Sequence, residues 1–271
     1  MKQTLIKSLT EAGKIQRENF RKEMSFEQKE SISSIVTEVD LMCDKIISEI
    51  IVQQFPGHNI LTEESGLVDN HSDFTWVIDP LDGTSNFAAG IPWFGVLIAL
   101  FKNDLPVLAG AYLPIDDQLY IAESGKGAFL NGKKLEIPLL ELKNSLAGFA
   151  IDYSNDEAFV DLGMDWYRFL IKNARNIRCT NSLVDLMLVA EGRLGVAINL
   201  FTKIWDIAAP WLIIREAGGD LRHLTDGELT FDLTNEGLTK NYPVIAGSKN
   251  ILGKNCNRII QLTDSYSSRI N

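Results

Sequence analysis

The chain has little of what several specialised classes require. Its 271 residues include only three cysteines, Cys43, Cys179 and Cys256. They are odd in number, widely spaced and form no Cys-x-x-Cys pair, which excludes a disulfide framework and a zinc site and reads as buried thiols in a reducing cytoplasm. Positive charge is also short: 26 Lys plus Arg against 36 Asp plus Glu leave a formal net charge of −10. Nucleic acids and anionic membranes need a basic surface, so neither is an expected partner, and an anionic substrate must be held by local chemistry. The longest apolar run, residues 94–101, is far below the roughly 20 residues of a membrane span, and residues 1–14 lack the apolar stretch of a signal peptide. No repeat, low-complexity tract or long linker divides the chain. With 45% apolar and 23% charged residues, the expectation is a cytoplasmic globule with a sizeable core, one unit over residues 1–271 with sub-lobes at about 1–142 and 143–271.

What is there is concentrated in residues 76–87, Trp-Val-Ile-Asp-Pro-Leu-Asp-Gly-Thr-Ser-Asn-Phe. The first three residues read as the end of a buried strand, and Pro80 and Gly83 forbid its regular continuation. Asp79 and Asp82, three apart across a proline, can turn to one side of a tight turn. Two carboxylates about 4 Å apart repel by about 4 kcal/mol at an effective dielectric of about 20, so the pair must take up a proton, find basic partners or bind metal. No Lys, Arg or His lies between Phe74 and Gly90, which favours a hard, Mg2+-like ion. The plainer alternative is a pair of turn formers capping a following helix. Thr84, a hydroxyl directly behind a bare glycine, tips the balance toward a phosphate site.

Around this stretch, helical periodicity predicts an amphipathic helix over the first twenty residues, a polar stretch over residues 21–34, and a second helix capped by Thr37 and carrying Val39, Cys43, Ile47 and Ile51 on one face. Asp40 falls in its first turn, where a capping-box acid is sufficient explanation. Short strands are predicted at residues 59–61 and 75–78. The first ends at Glu63-Glu64-Ser65, so neighbouring strands would gather Glu63, Asp79 and Asp82 at one edge. Turn-separated strands at 95–101, 106–113, 118–122 and 128–130 predict an antiparallel sheet, with Asn131-Gly132 as a hairpin turn. Residues 127–134 nearly match a phosphate-binding loop, but Lys134 replaces its Ser/Thr and the stretch lies in a hairpin. The second half alternates: strands at 147–151, 176–179, 195–199, near 220 and at 244–246, helices at about 159–172, 183–191 and 206–217, and a last helix from 249. That is an α/β pattern with the site between the sub-lobes. Asp206 opens a helix in Trp-Asp-Ile-Ala-Ala, where capping alone is again possible.

Three motifs, Glu63-Glu64-Ser65, the run from Trp76 to Phe87, and Trp205-Asp206-Ile207-Ala208-Ala209, in this order and spacing over nearly the whole chain, make it resemble the inositol monophosphatase family of Mg2+-dependent, lithium-sensitive sugar phosphatases. The resemblance implies a layered α/β/α/β/α sandwich, commonly a homodimer. It implies metal ligands at Glu63, Asp79, the Leu81 carbonyl, Asp82 and Asp206, holding two or three Mg2+ ions. Asp40 would pair with Thr84 beside the attacking water, which Glu63 and Thr84 would orient. Substrate would meet Asp82, Gly83, Thr84, Ser182, Asn199 and Asp206, with the Gly83 and Thr84 amides on phosphate oxygens.

There are departures from the family pattern. Thr180-Asn181-Ser182 stands where the family usually has Gly-Ser-Ala, and Asn199 stands where inositol-specific members carry a Glu that reads a ring hydroxyl. Lys29, eleven residues before Asp40 as in some members, also reads as an ordinary solvated lysine. The expected reaction is hydrolysis of a small sugar or polyol phosphate, with no strong preference for inositol phosphates. The alternatives are a fructose 1,6-bisphosphatase or a 3′-phosphonucleotide bisphosphatase of the same superfamily, and a non-catalytic interaction module. Ser85, where the nucleotide enzymes carry Lys, disfavours the second; retention of every metal ligand disfavours the third.

Overall fold

The computed structural model describes residues 1–22, 26–28, 35–224 and 227–253. Lys29, Cys256 and any continuation of the last helix past residue 253 lie outside the described residues. Helix α1 (Lys2–Asn19) is followed by a two-stranded ribbon of β1 (Phe26–Gln28) and β2 (Ile35–Thr37), not predicted from the sequence, and by α2 (Glu38–Gln54). Strands β3 (Asn59–Thr62), β4 (Gly66–Val68), β5 (Phe74–Asp82), β6 (Gly95–Lys102), β7 (Leu105–Leu113), β8 (Gln118–Glu123), β9 (Gly127–Leu130) and β10 (Lys133–Lys134) form a sheet ordered β10-β9-β8-β7-β6-β5-β3-β4. The short helix α3 (Thr84–Ala88) follows β5. A second sheet, ordered β12-β11-β13-β15-β14, comprises β11 (Leu146–Ala150), β12 (Asn176–Arg178), β13 (Leu194–Asn199), β14 (Asp220–His223) and β15 (Val244–Gly247). Between these strands run α4 (Glu157–Asn173), α5 (Leu183–Ala190), α6 (Ile204–Glu216) and α7 (Asn235–Thr239). The stretch resembling a phosphate-binding loop is the β9–β10 hairpin, turned by Asn131 and Gly132 at φ 48° and 77°.

The layers follow from the two-residue period of the strands. In β5 and β6, Trp76, Ile78, Val96, Ile98 and Leu100 face a core shared with Leu5 and Leu9 of α1 and Ile47 of α2. Their alternates Val77, Leu97, Ala99 and Phe101 face a second core built on α5 and α6. Helix α6 buries Ile204, Ile207, Ala208, Leu212, Ile213 and Ile214, and a helix apolar on most sides belongs between layers. Val196 and Ile198 of β13 pack on Trp166 and Leu170 of α4, while Ala197 turns to the middle core. The result is the α/β/α/β/α sandwich.

Two expectations are corrected. Strand β5 does not stop before Asp79; it continues to Asp82 and pairs with β6 as Asp79↔Leu97 and Asp82↔Gly95, three steps against two. That is a bulge of one extra residue, and it tolerates Pro80, which has no N–H to give the ladder. Gln16 of α1 supports it, donating from Nε2 to the Pro80 carbonyl at 2.8 Å and the Gly95 carbonyl at 3.2 Å. Cys43 is buried as expected, but Cys179 is exposed, because it follows β12, the edge strand of its sheet.

Candidate active site

Strands β3 and β5 are parallel, with Thr62 beside Ile78, and the Glu63 amide donates to the Ile78 carbonyl at 3.2 Å. Glu63 and Asp79 therefore leave the sheet side by side, as the strand-edge reading predicts. In a regular strand, residues three apart point to opposite faces; the bulge between Asp79 and Asp82 cancels that and brings both carboxylates to the side of the middle layer. From that layer the first turn of α6 supplies Asp206, whose Oδ2 accepts from the Lys203 amide at 2.6 Å. Carboxylate oxygens of Asp79, Asp82 and Asp206 all lie within 4.8 Å of one another. They open on a cavity of about 330 Å3 that is also lined by Glu63, Leu81, Gly83, Thr84, Ser182 and Asn199.

Among the described lining residues Lys203 is the sole basic side chain, and none is His or Cys. Burial, then the charges of Glu63, Asp82, Asp206 and Asp40, push the Asp79 carboxyl well above the ordinary range. Burial likewise raises Asp206, reinforced by Asp82 and Glu63. Asp82 is pushed up to about 7, again mainly by burial, although the Leu183 amide, 2.6 Å from its Oδ1, works in the opposite direction. Buried, mutually repelling oxygens with a single basic side chain among the described lining residues fit a hard divalent ion, and their donor set fits Mg2+ better than zinc.

Asp40 lies behind this cluster, off the cavity wall and 1% exposed. Its Oδ2 accepts from the Thr37 amide and hydroxyl at 2.9 and 2.5 Å, completing the capping box of α2. Its Oδ1 accepts from the Thr84 hydroxyl at 2.9 Å. Capping and pairing with Thr84 are thus both present in one side chain. Gly83 is irreplaceable for two reasons: its φ is +84°, and an added Cβ would lie 2.5 Å from the Trp93 carbonyl. Ser182 caps α5 through the Val184 amide at 3.3 Å. Asn199 uses Oδ1 to accept from the Phe201 amide at 3.1 Å.

Several supporting residues were not predicted. Asp44, one turn beyond Asp40 on α2, accepts a short hydrogen bond from the Ser65 hydroxyl and so anchors the turn that carries Glu63. Asn86 ties the motif to both flanking loops, donating to the Trp93 and Thr180 carbonyls at 3.0 and 2.9 Å. Asp152, Phe201 and Lys203 also line the cavity. Gln16 had a signal, a polar side chain continuing the stripe of Leu5, Leu9 and Ala12. Asp152 had another, an acid just past an apolar strand, the same pattern that marks Asp79.

Comparison with known proteins bears on the family and the fold. The family model described as the inositol monophosphatase family matches residues 1–264. The chain is 36% identical over 237 residues to inositol monophosphatase 2 of Solanum lycopersicum, covering 84% of this chain and 88% of that protein. It superposes on the Thermotoga maritima IMPase with a TM-score of 0.82 at 26% identity, covering 98% and 97% of the two chains. A structure of an IMPase/NADP phosphatase complexed with Mg2+ and phosphate aligns with a TM-score of 0.77 at 26% identity over 93% and 90%. With its acidic cluster, its layered fold and a match over almost its entire length, this chain belongs to the inositol monophosphatase family, a family of phosphoric monoester hydrolases.

Proposed function

We propose that the protein hydrolyses a small sugar or polyol phosphate monoester with Mg2+ held by Glu63, Asp79, the Leu81 carbonyl, Asp82 and Asp206. The observation that carries this reading is the convergence of Asp79, Asp82 and Asp206 oxygens within 4.8 Å in a cavity whose sole basic side chain among the described lining residues is Lys203. When bound, two such ions neutralise the phosphate, acidify a water and stabilise the leaving alkoxide.

The protein's own part is positioning. With the Leu81 carbonyl holding metal, Thr84 donates its proton to Asp40 Oδ1, 2.9 Å away, and the Thr84 oxygen is left to accept from the attacking water. Glu63 takes the second hydrogen of that water and aligns it. The amides of Gly83 and Thr84 meet phosphate oxygens, which the φ of +84° and the missing Cβ at Gly83 allow at close range. Ser182, Asn199, Asp82 and Asp206 face the alcohol part. Phosphate release from a panel of sugar phosphates should vanish in excess EDTA and return with Mg2+. Full activity in EDTA would refute the metal-dependent reading.

A further inference from the structure

The cavity has a second half whose chemistry differs from the acidic cluster. Strands β11 and β13 run parallel with Ala150 beside Asn199, so both end at the cavity. Two residues past the end of β11 stands Asp152, which lines the cavity but is not one of the three clustered carboxylates. Its Oδ1 accepts from the Asn181 side-chain amide at 2.9 Å, and among the described residues its Oδ2 accepts no hydrogen bond. Asn181 is fixed by a left-handed φ of 53° in the loop before α5, so the carboxylate is held from outside its own strand. Asn199, which lines the same cavity, has its one acceptor oxygen engaged by the Phe201 amide. The Phe201 ring, 43% exposed, lines the same cavity, with the Lys203 ammonium 5.4 Å from its centroid.

We propose that Asp152 is the specificity residue for the alcohol part of the substrate, accepting hydrogen bonds from hydroxyls of a sugar or polyol while Phe201 covers its carbon face. This rests on the phosphatase reading and names what that site selects. A carboxylate only accepts, so it favours hydroxyl donors and repels a second phosphate placed beside it. An aromatic face next to a carboxylate suits a ligand that is apolar on one side and hydroxylated at its rim. A site built around such a hydrogen bond discriminates against analogues lacking the hydroxyl.

The test compares kcat/KM, with Mg2+, for the best of a panel of sugar and polyol phosphates that includes inositol 1-phosphate with that for 4-nitrophenyl phosphate, which carries no hydroxyl. In Asp152→Ala the ratio of the two should fall about tenfold to 100-fold, mostly through KM of the polyol ester. Asp152→Asn keeps the shape and an acceptor for Asn181, and should fall less. An unchanged ratio in Asp152→Ala, or an equal loss on both esters, overturns the proposal by making Asp152 a bystander or a loop anchor. Turnover of 4-nitrophenyl phosphate by the unaltered protein without turnover of any polyol phosphate also overturns it, while leaving hydrolysis standing. Failure on every ester refutes the phosphatase reading and this proposal with it.

Discussion

Thr84 has one proton and two acceptors within reach, Oδ1 of Asp40 and the Leu81 carbonyl, each 2.9 Å away. If that carbonyl is a metal ligand, the proton is committed to Asp40 and the hydroxyl oxygen is oriented for water. Thr84→Ala should then lower kcat by about 100-fold or more with little change in KM, because aligning a nucleophile matters mainly in the transition state. Asp40→Asn should cost less. The double variant should be no worse than about twofold beyond Thr84→Ala, since the two act as a unit. Steady-state kinetics of the four proteins decide it: additive losses would leave Asp40 as a helix cap only. At Asp40 the capping role was legible in the sequence, because the capping box is a local property, while the pairing with Thr84 was implied by the family resemblance. Its contact with Thr84, 44 residues away in sequence, depends on how α2 packs against β5.

At the scale of elements, the bulge in β5 decides the site. Asp79 and Asp82 share a face only because one extra residue resets the strand's two-residue alternation, and Gln16 satisfies the carbonyls that the interrupted ladder leaves over. Gln16→Leu should therefore destabilise the protein by about 1–3 kcal/mol, seen as a lower urea midpoint at unchanged slope, and should raise the Mg2+ concentration needed for half-maximal activity. An unchanged midpoint and unchanged Mg2+ dependence would mean that the bulge holds itself. Pro80 and Gly83 announce that something interrupts this strand, but they do not distinguish a turn from a bulge. The difference lies in the pairing with β6 and in a side chain from α1, neither of which is local to the motif.

For the whole molecule, burial of so many carboxylates is a liability in the absence of a divalent ion. The Asp82 carboxyl rises from an ordinary 3.8 to about 7, and Asp79 and Asp206 are raised as well. Between those two values the folded, metal-free chain holds more protons than the unfolded one. The contribution of Asp82 to stability is therefore fully present below about 3.8 and lost as pH rises through about 7. Mg2+ must displace those protons, so its binding strengthens with pH. Thermal melts with EDTA and with Mg2+ should show a stabilisation by Mg2+ that is small near about pH 5 and grows toward about pH 8. A Mg2+ effect independent of pH would mean that these carboxylates are not where it binds. The helix and strand periods, the antiparallel run after the motif and the residue types of the acidic cluster were legible in the sequence, because propensity, alternation and hard-oxygen chemistry are properties of short stretches. The common facing of Asp79 and Asp82, the approach of Asp206 from the middle layer, the exposure of Cys179 and the reach of Asp152 to the cavity are properties of the folded chain. Each of those depends on which distant elements pack together, and no local pattern encodes that packing.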